Sequence, residues 1–310
     1  MKRSAALAVA LAALLAGCGL GSGKGADGVS VVVTRDFGVR PVGTAKVAKT
    51  PGSETVKRFL QRKFTVRTRY GGGFVQAIEG VSGGEEGGRP VDWFYYVNGI
   101  EADQGAAATK LHAGDRVWWD RHDWGAARGV PAVVGSFPEP FRSGAGGKRL
   151  PTQIACTDDA GAACAEAKSR LAAVGVKIAS SAFGTGGGTE TLRVLVGPWS
   201  SLRADPVARR IEQGPGTSGV YATFSGEGRR LTVLDDRGRD GASLGAGGGL
   251  VAATRLRDQQ PTWVVTGTDA AGTLAAARAL RENVLRNRFA LAVEGSSSLP
   301  VPVGPEGPVS

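Results

Sequence analysis

Apolar and polar positions follow two rhythms along this 310-residue chain. In the first half the period is mostly that of strands. Ser30-Val31-Val32-Val33-Thr34 is a β-branched run and predicts a strand. Asp36-Phe37-Gly38 predicts a turn, and Val39–Val47 a second strand interrupted at Pro41. Val56, Phe59 and Leu60 fall at i, i+3 and i+4, on one face of a helix that Ser53 is placed to cap. Phe64–Thr68 alternates like an exposed strand, and Tyr70–Ile78 and a Gly/Glu-rich loop at 83–89 follow. Trp93–Val97 is aromatic and β-branched, so it reads as a strand. Asn98-Gly99, where both residues tolerate positive φ, marks a tight turn. Gly114-Asp115 marks another, and Arg116-Val117-Trp118-Trp119 leaves it as a strand. The order predicts an α+β unit over 29–125, with one helix across a β-grasp-like sheet.

Residues 126–150 are rich in Gly and Pro and read as a linker, with Phe137 and Phe141 available to pack on a neighbouring domain. The pattern then changes to long helical stretches between short apolar runs. Ala160–Ala173 and Asp269–Leu285 have helical composition, the latter with Thr268 or Asp269 as its cap. Leu192–Val196 and Thr262–Thr266 read as buried strands, and 219–224 with 231–234 as a hairpin. Two segments, from Arg193 to Phe224 and from Thr262 to Val293, share a strand–glycine–helix–strand order, with Gly197 and Gly267 in equivalent places. This weak repeat predicts an α/β domain over 151–295 built from two such units. Residues 296–310 read as a disordered tail.

The stretch Trp93–Trp119 carries a resemblance. Tyr95-Tyr96-Val97-Asn98-Gly99, the Gly105-Ala106 step, and Leu111 with Gly114-Asp115, Val117 and Trp119 resemble the domain named for the C-terminal part of transcobalamin and intrinsic factor. The likeness extends over about 29–125. It implies a β-grasp-like fold, and it raises a cobalamin-like ligand, because in the cobalamin carriers the related domain covers one face of the corrin ring. On that implication Trp93, Tyr95, Tyr96, Asn98, Trp118 and Trp119 are the ligand-binding candidates. The competing reading is that these aromatics fill the core. Trp118 and Trp119 must point to opposite faces of their strand, so one of them is left outside if the sheet has one wet face.

The N-terminus changes the picture. Met1-Lys2-Arg3 is a positive lead and Ala5–Leu15 an apolar run too short to span a bilayer stably. Leu15-Ala16-Gly17-Cys18 then resembles the lipobox of bacterial lipoproteins, in which the cysteine is lipidated. Residues 1–17 are thus expected to be a signal peptide, Cys18 the lipidated residue, and 18–28 a flexible tether. The expected location is the extracytoplasmic face of the membrane. In that compartment Cys156 and Cys164, eight apart, read as a disulfide worth about 2–3 kcal/mol. The formal net charge of +10 suits an arginine-rich surface, an anionic lipid or a wall polymer. No basic run of nucleic-acid type occurs.

Candidate chemistry is sparse. The glycines of 245–249 lack a following Lys-Ser/Thr, and Gly267–Gly272 does not have dinucleotide-loop spacing. Asp36-Phe37-Gly38 has the letters of the kinase metal motif without its glycine-rich loop or strand lysine. His112 and His122 are ten apart and form no ligand pair. His122-Asp123 has no serine assigned to it, and Asp158-Asp159 and Asp235-Asp236 read as solvated loop carboxylates. No cofactor, metal or catalytic group is predicted. The expected role is non-catalytic binding of a small molecule, corrinoid-like on the resemblance, for an envelope uptake system. The alternatives are a structural or adhesion protein engaging wall polymer or a partner, and an enzyme with a site near Gly197 and Gly267, where open α/β sheets bind ligands.

Overall fold

The computed structural model describes residues 27–256 and 258–304. Cys18, the expected signal peptide and most of the expected tether lie outside the described residues, as does the end of the expected tail.

The chain is mixed α/β with several sheets. In the first half a six-stranded sheet runs in the order 40–49, 27–35, 116–123, 89–97 and 84–86, with 100–101 paired to the far end of 89–97. Strands Asp27–Arg35 and Arg116–Asp123 are parallel neighbours, and the other pairs are antiparallel. Pro41 interrupts register rather than strand: Arg40–Lys49 is continuous, and the pairing slips between Val33 and Thr34, opposite the residue that has no N–H to give. The helix is Val56–Lys63, and Thr55 rather than Ser53 caps it by accepting from the Arg58 amide. Val56, Phe59 and Leu60 are fully buried, as their spacing predicts. A small sheet of 66–69, 74–78 and 81–82 adds Val75 and Ile78 to the same core.

In the second half a seven-stranded sheet runs 178–182, 152–156, 192–198, 262–267, 248–254, 290–294 and 297–301. Its first four strands are parallel and the rest antiparallel. Helices Gly161–Ala173 and Ala270–Arg278 cover one face. Asp269 caps the second by accepting from the Gly272 amide, and a separate turn, Glu282–Leu285, continues where one long helix was expected. The repeat is only half real. Strands 192–198 and 262–267 are equivalent and adjacent, but 222–225 lies in a separate three-stranded sheet while 290–294 joins the main one. The helix that the strand–glycine–helix–strand order places after Gly197 is broken into Trp199–Leu202 and a 3₁₀ segment, Ala208–Gln213, around Asp205, which accepts from the Val207 and Ala208 amides.

Strict alternation decides what each sheet face touches. Val194, Val196, Val251, Trp263, Val265, Leu291 and Val293 face the helices. Leu195, Leu250, Ala252, Val264, Ala290 and Ala292 face the other way, into a core shared with Phe37, Tyr96 and Trp118 of the first half. The sheet of the first half therefore has no wet face where these residues stand. Val29, Val31, Val33, Trp93, Tyr95, Val117 and Trp119 line its own core, and the opposite face is covered by the second half.

Two further expectations are corrected. Residues 126–150 are not a loose linker: Val130, Val133, Val134, Phe137 and Phe141 are buried. The Val133 amide bonds Gly99 O and the Val134 amide bonds Phe289 O, so the segment joins the two sheets, and Phe141 lies 5.0 Å from Trp263. Its glycines mask apolar residues that only the tertiary context buries. Within the expected tail, Ser297–Val301 is an edge strand and Val301 and Val303 are buried. Pro300 is tolerated there because an edge strand has a side that needs no N–H.

Candidate functional site

The joint between the halves is built from the turn Asp36-Phe37-Gly38. All three residues have positive φ, at 57°, 58° and 86°. A Cβ on Gly38 would lie 2.0 Å from Asn287 O, so glycine is required for the approach of the second half. The Phe37 and Gly38 amides both donate to the buried Asp120 carboxylate, at 3.1 and 2.8 Å. Thr34 also donates to Asp120, and accepts from the Trp118 indole at 2.7 Å. His122 Nδ1 lies 2.9 Å from Asp120 Oδ1, and its ring sits between Phe37 and Phe94. His122 thus pairs with Asp120 rather than with its neighbour Asp123, and both are enclosed.

Beside this joint lies a cleft of about 620 Å³. The first half contributes Asp36, Phe37, Val39, Arg40, Glu86, Arg89, Val91 and Asp123 to its wall. The second contributes Asp236, Arg288, Ser298, Pro300, Pro302, Val303 and Gly304. Arg89 ties the halves together, bonding Asp123 at 2.5 Å and Asp236 at 2.6 Å. Burial disfavours the charged guanidinium, but those two hydrogen bonds outweigh it and raise the Arg89 pKa. Glu86 is held below its usual range by a hydrogen bond from Arg121, at 2.6 Å. Asp36 pairs with Arg40 at 3.3 Å, yet burial keeps its carboxyl above the usual range. Val39 is one of two large apolar side chains that stand exposed among the described residues.

The residues singled out in the sequence lie elsewhere. Trp93, Tyr95, Tyr96, Trp118 and Trp119 are all buried and present no stacking surface. Tyr95 stacks on Trp119 within the core of the first half, at 4.8 Å. Tyr96 and Trp118 pack on Phe289 of the second half. Asn98 has φ of 56° and Gly99 of 78°, the tight turn their types predict. The Asn98 side chain is used up in structure: it donates to Asp115 and to Gly144 O and accepts from the Arg116 amide. His112 lies 3.6 Å from Asp115, and no group of three His, Cys, Asp or Glu converges among the described residues.

Gly197 and Gly267 serve close packing. An added Cβ would meet Thr157 Oγ1 at 2.1 Å and the Thr273 amide at 2.3 Å. Cys156 and Cys164 form a disulfide with Cα atoms 6.0 Å apart. The acidic pair Asp235-Asp236 is not solvated. Asp235 closes a turn by accepting from the Arg237 and Arg239 amides and from the Arg239 guanidinium, which lowers its pKa against the effect of burial. Asp159 bonds Thr157 and Ser201.

The cleft residues were not legible in the sequence because they come from six separate stretches that only the tertiary fold brings together. Only the Asp-Phe-Gly turn carried a signal, an aromatic residue between two that tolerate positive φ.

The fold and the cleft together define a mixed α/β protein with a ligand-sized recess between two halves. Residues 53–123 match a family described as Domain of unknown function (DUF4430). No curated protein matches the chain. Among solved structures, it is similar to a protein from Ruminococcus gnavus ATCC 29149 to which metal binding is ascribed, at 12% identity over 31% of this chain and 97% of that one, with a TM-score of 0.26. It is also similar to haptocorrin in complex with Cbi, at 15% identity over 31% of this chain and 25% of that one, with a TM-score of 0.25. The chain thus spans about a quarter of the haptocorrin structure it matches.

Proposed function

We propose that the protein is a non-catalytic binding protein that takes a small molecule into the cleft between its halves. One observation carries this reading: the cleft of about 620 Å³ is walled by both halves and combines apolar with charged groups. Recesses of roughly 300–1,000 Å³ with a few polar groups on an apolar wall are those that hold small ligands. The reading takes the first half as a transcobalamin C-terminal-like β-grasp module. The parallel pairing of 27–35 with 116–123 and the single helix 56–63 support that. It also takes Cys18 as lipidated, so that binding occurs at the extracytoplasmic face of the membrane, in the service of uptake. The Leu15-Ala16-Gly17-Cys18 order supports the anchor.

The site moves with the structure. The aromatic residues that the resemblance offered are enclosed, so a corrinoid or any other ligand would have to enter beside Val39 and Arg40 instead. The test is a titration with a panel of small molecules, corrinoids included, followed through backbone amide shifts. A saturable response at Val39, Val91 and Val303 supports the reading. Saturable responses confined to residues away from the cleft, or none from the whole panel, would sink it.

A further inference from the structure

The charges on the cleft wall do not cancel evenly. Four carboxylates line it, and each has an arginine: Asp36 has Arg40, Glu86 has Arg121, and Asp123 and Asp236 share Arg89. Three arginines line it, and the third, Arg288, has no carboxylate partner among the described residues. Arg288 sits between the turn Glu282–Leu285 and strand Ala290–Glu294, where its backbone is fixed: its amide donates to Leu285 O. Its guanidinium is half-buried. Burial alone perturbs it, and lowers its pKa, with no opposing acid to restore the charged form.

An incoming cation finds every wall carboxylate already engaged. An incoming oxyanion finds one guanidinium with its donors free of acid, in a place where water is partly excluded. Charge-assisted hydrogen bonds of this kind are the strong ones, and a guanidinium fork matches a carboxylate or phosphate in two bonds. The apolar part of the same wall is Phe37, Val39, Val91, Pro300, Pro302 and Val303.

We propose that Arg288 is the anchor of the cleft, and that the ligand is a small molecule with a single oxyanion, carboxylate or phosphate monoester, on an apolar body. This rests on the reading of the cleft as the binding site and adds the class of molecule it takes. Among the described residues the Arg288 side chain makes no hydrogen bond or ion pair, so Arg288→Gln tests recognition rather than stability.

The test uses three probes with one apolar chain and different heads: octanoate, octanol and octylamine. Each is titrated below its aggregation limit into the wild-type protein, Arg288→Gln and Arg288→Lys, and amide shifts at Val39, Val91 and Val303 are followed. Octyl phosphate, run in parallel, separates the two oxyanions. The expected result is saturable binding of octanoate or octyl phosphate at least about tenfold tighter than octanol, the worth of one charge-assisted bond. That preference disappears in Arg288→Gln and is partly kept in Arg288→Lys. Equal binding of octanol and octanoate in the cleft, or a preference that survives Arg288→Gln, overturns the anchor while leaving the cleft as a binding site. No response at the cleft amides to any of these probes overturns the inference; the proposed function itself then stands or falls on the wider panel.

Discussion

Trp118 and Trp119 are neighbours in the chain and belong to different cores. Trp119 stacks on Tyr95 under the helix of the first half, and Trp118 crosses to Phe289 of the second, with ring centroids 5.1 Å apart at 73°. The two-residue period of a strand forces this division. It also decides the architecture. A sheet that buries tryptophan on both faces needs a cover on both, and the second half supplies one of them.

Phe289 therefore tests whether the halves are one folding unit. It contacts Phe37, Tyr96, Trp118 and His122 of the first half. Phe289→Ala removes a nearly fully buried ring and should cost about 3–5 kcal/mol. Denaturant unfolding followed by near-ultraviolet and far-ultraviolet signals should stay a single transition in the wild type. In the variant the midpoint should fall for both signals together. Two separate transitions in the wild type would mean that the shared core does not couple the halves.

Most strands of the first half were readable from their alternation, though not the continuity through Pro41 or the short strand 84–86. The helix face, the Asn98-Gly99 turn and the disulfide were readable too. Each is set by residues close in sequence. The role of the aromatic strand was not readable, because whether Trp118 faces water depends on what covers the sheet, and that cover comes from residues 195–301. The strap 126–150 failed for a related reason. Its Gly and Pro content describes a chain without regular structure, which it is, and says nothing about burial. The cleft was the least legible part. Arg288, Asp236 and Val39 each look like ordinary surface residues until the halves meet.

The disulfide closes a short loop at the start of helix Gly161–Ala173. Loop-closure entropy for eight residues gives about 2–3 kcal/mol of stability. A Cys156→Ser, Cys164→Ser double variant should lose that much in urea unfolding, with the fold retained. A loss under about 0.5 kcal/mol would show that the residual structure of the unfolded chain already closes the loop.

Glu101 gives a pH dependence with a definite sign. Burial raises its pKa, and the nearby His122 and Arg255 charges and a backbone hydrogen bond from Val130 only partly oppose this. The folded state therefore holds the proton more tightly than the unfolded one. Its contribution is fully present below the unfolded pKa, about 4.3, and is lost as pH rises through the higher folded value. Glu101→Gln should remove that loss. Stability measured by urea unfolding at about pH 4 and pH 7 should fall less on the way up in the variant than in the wild type. Equal or steeper decline in the variant would contradict the assignment.

The most direct measurement places the ligand. Val39→Trp would fill the mouth of the cleft from an exposed position, and Trp119→Phe would alter the buried aromatic pair of the first half without emptying it. Both variants and the wild type are titrated with the tightest-binding member of the panel by calorimetry. The account predicts that Val39→Trp loses saturable binding and Trp119→Phe keeps it within about twofold, since a core truncation that does not touch the cleft lowers stability without changing the site. Binding that survives Val39→Trp and is lost in Trp119→Phe would contradict it, and would return the site to the aromatic strands.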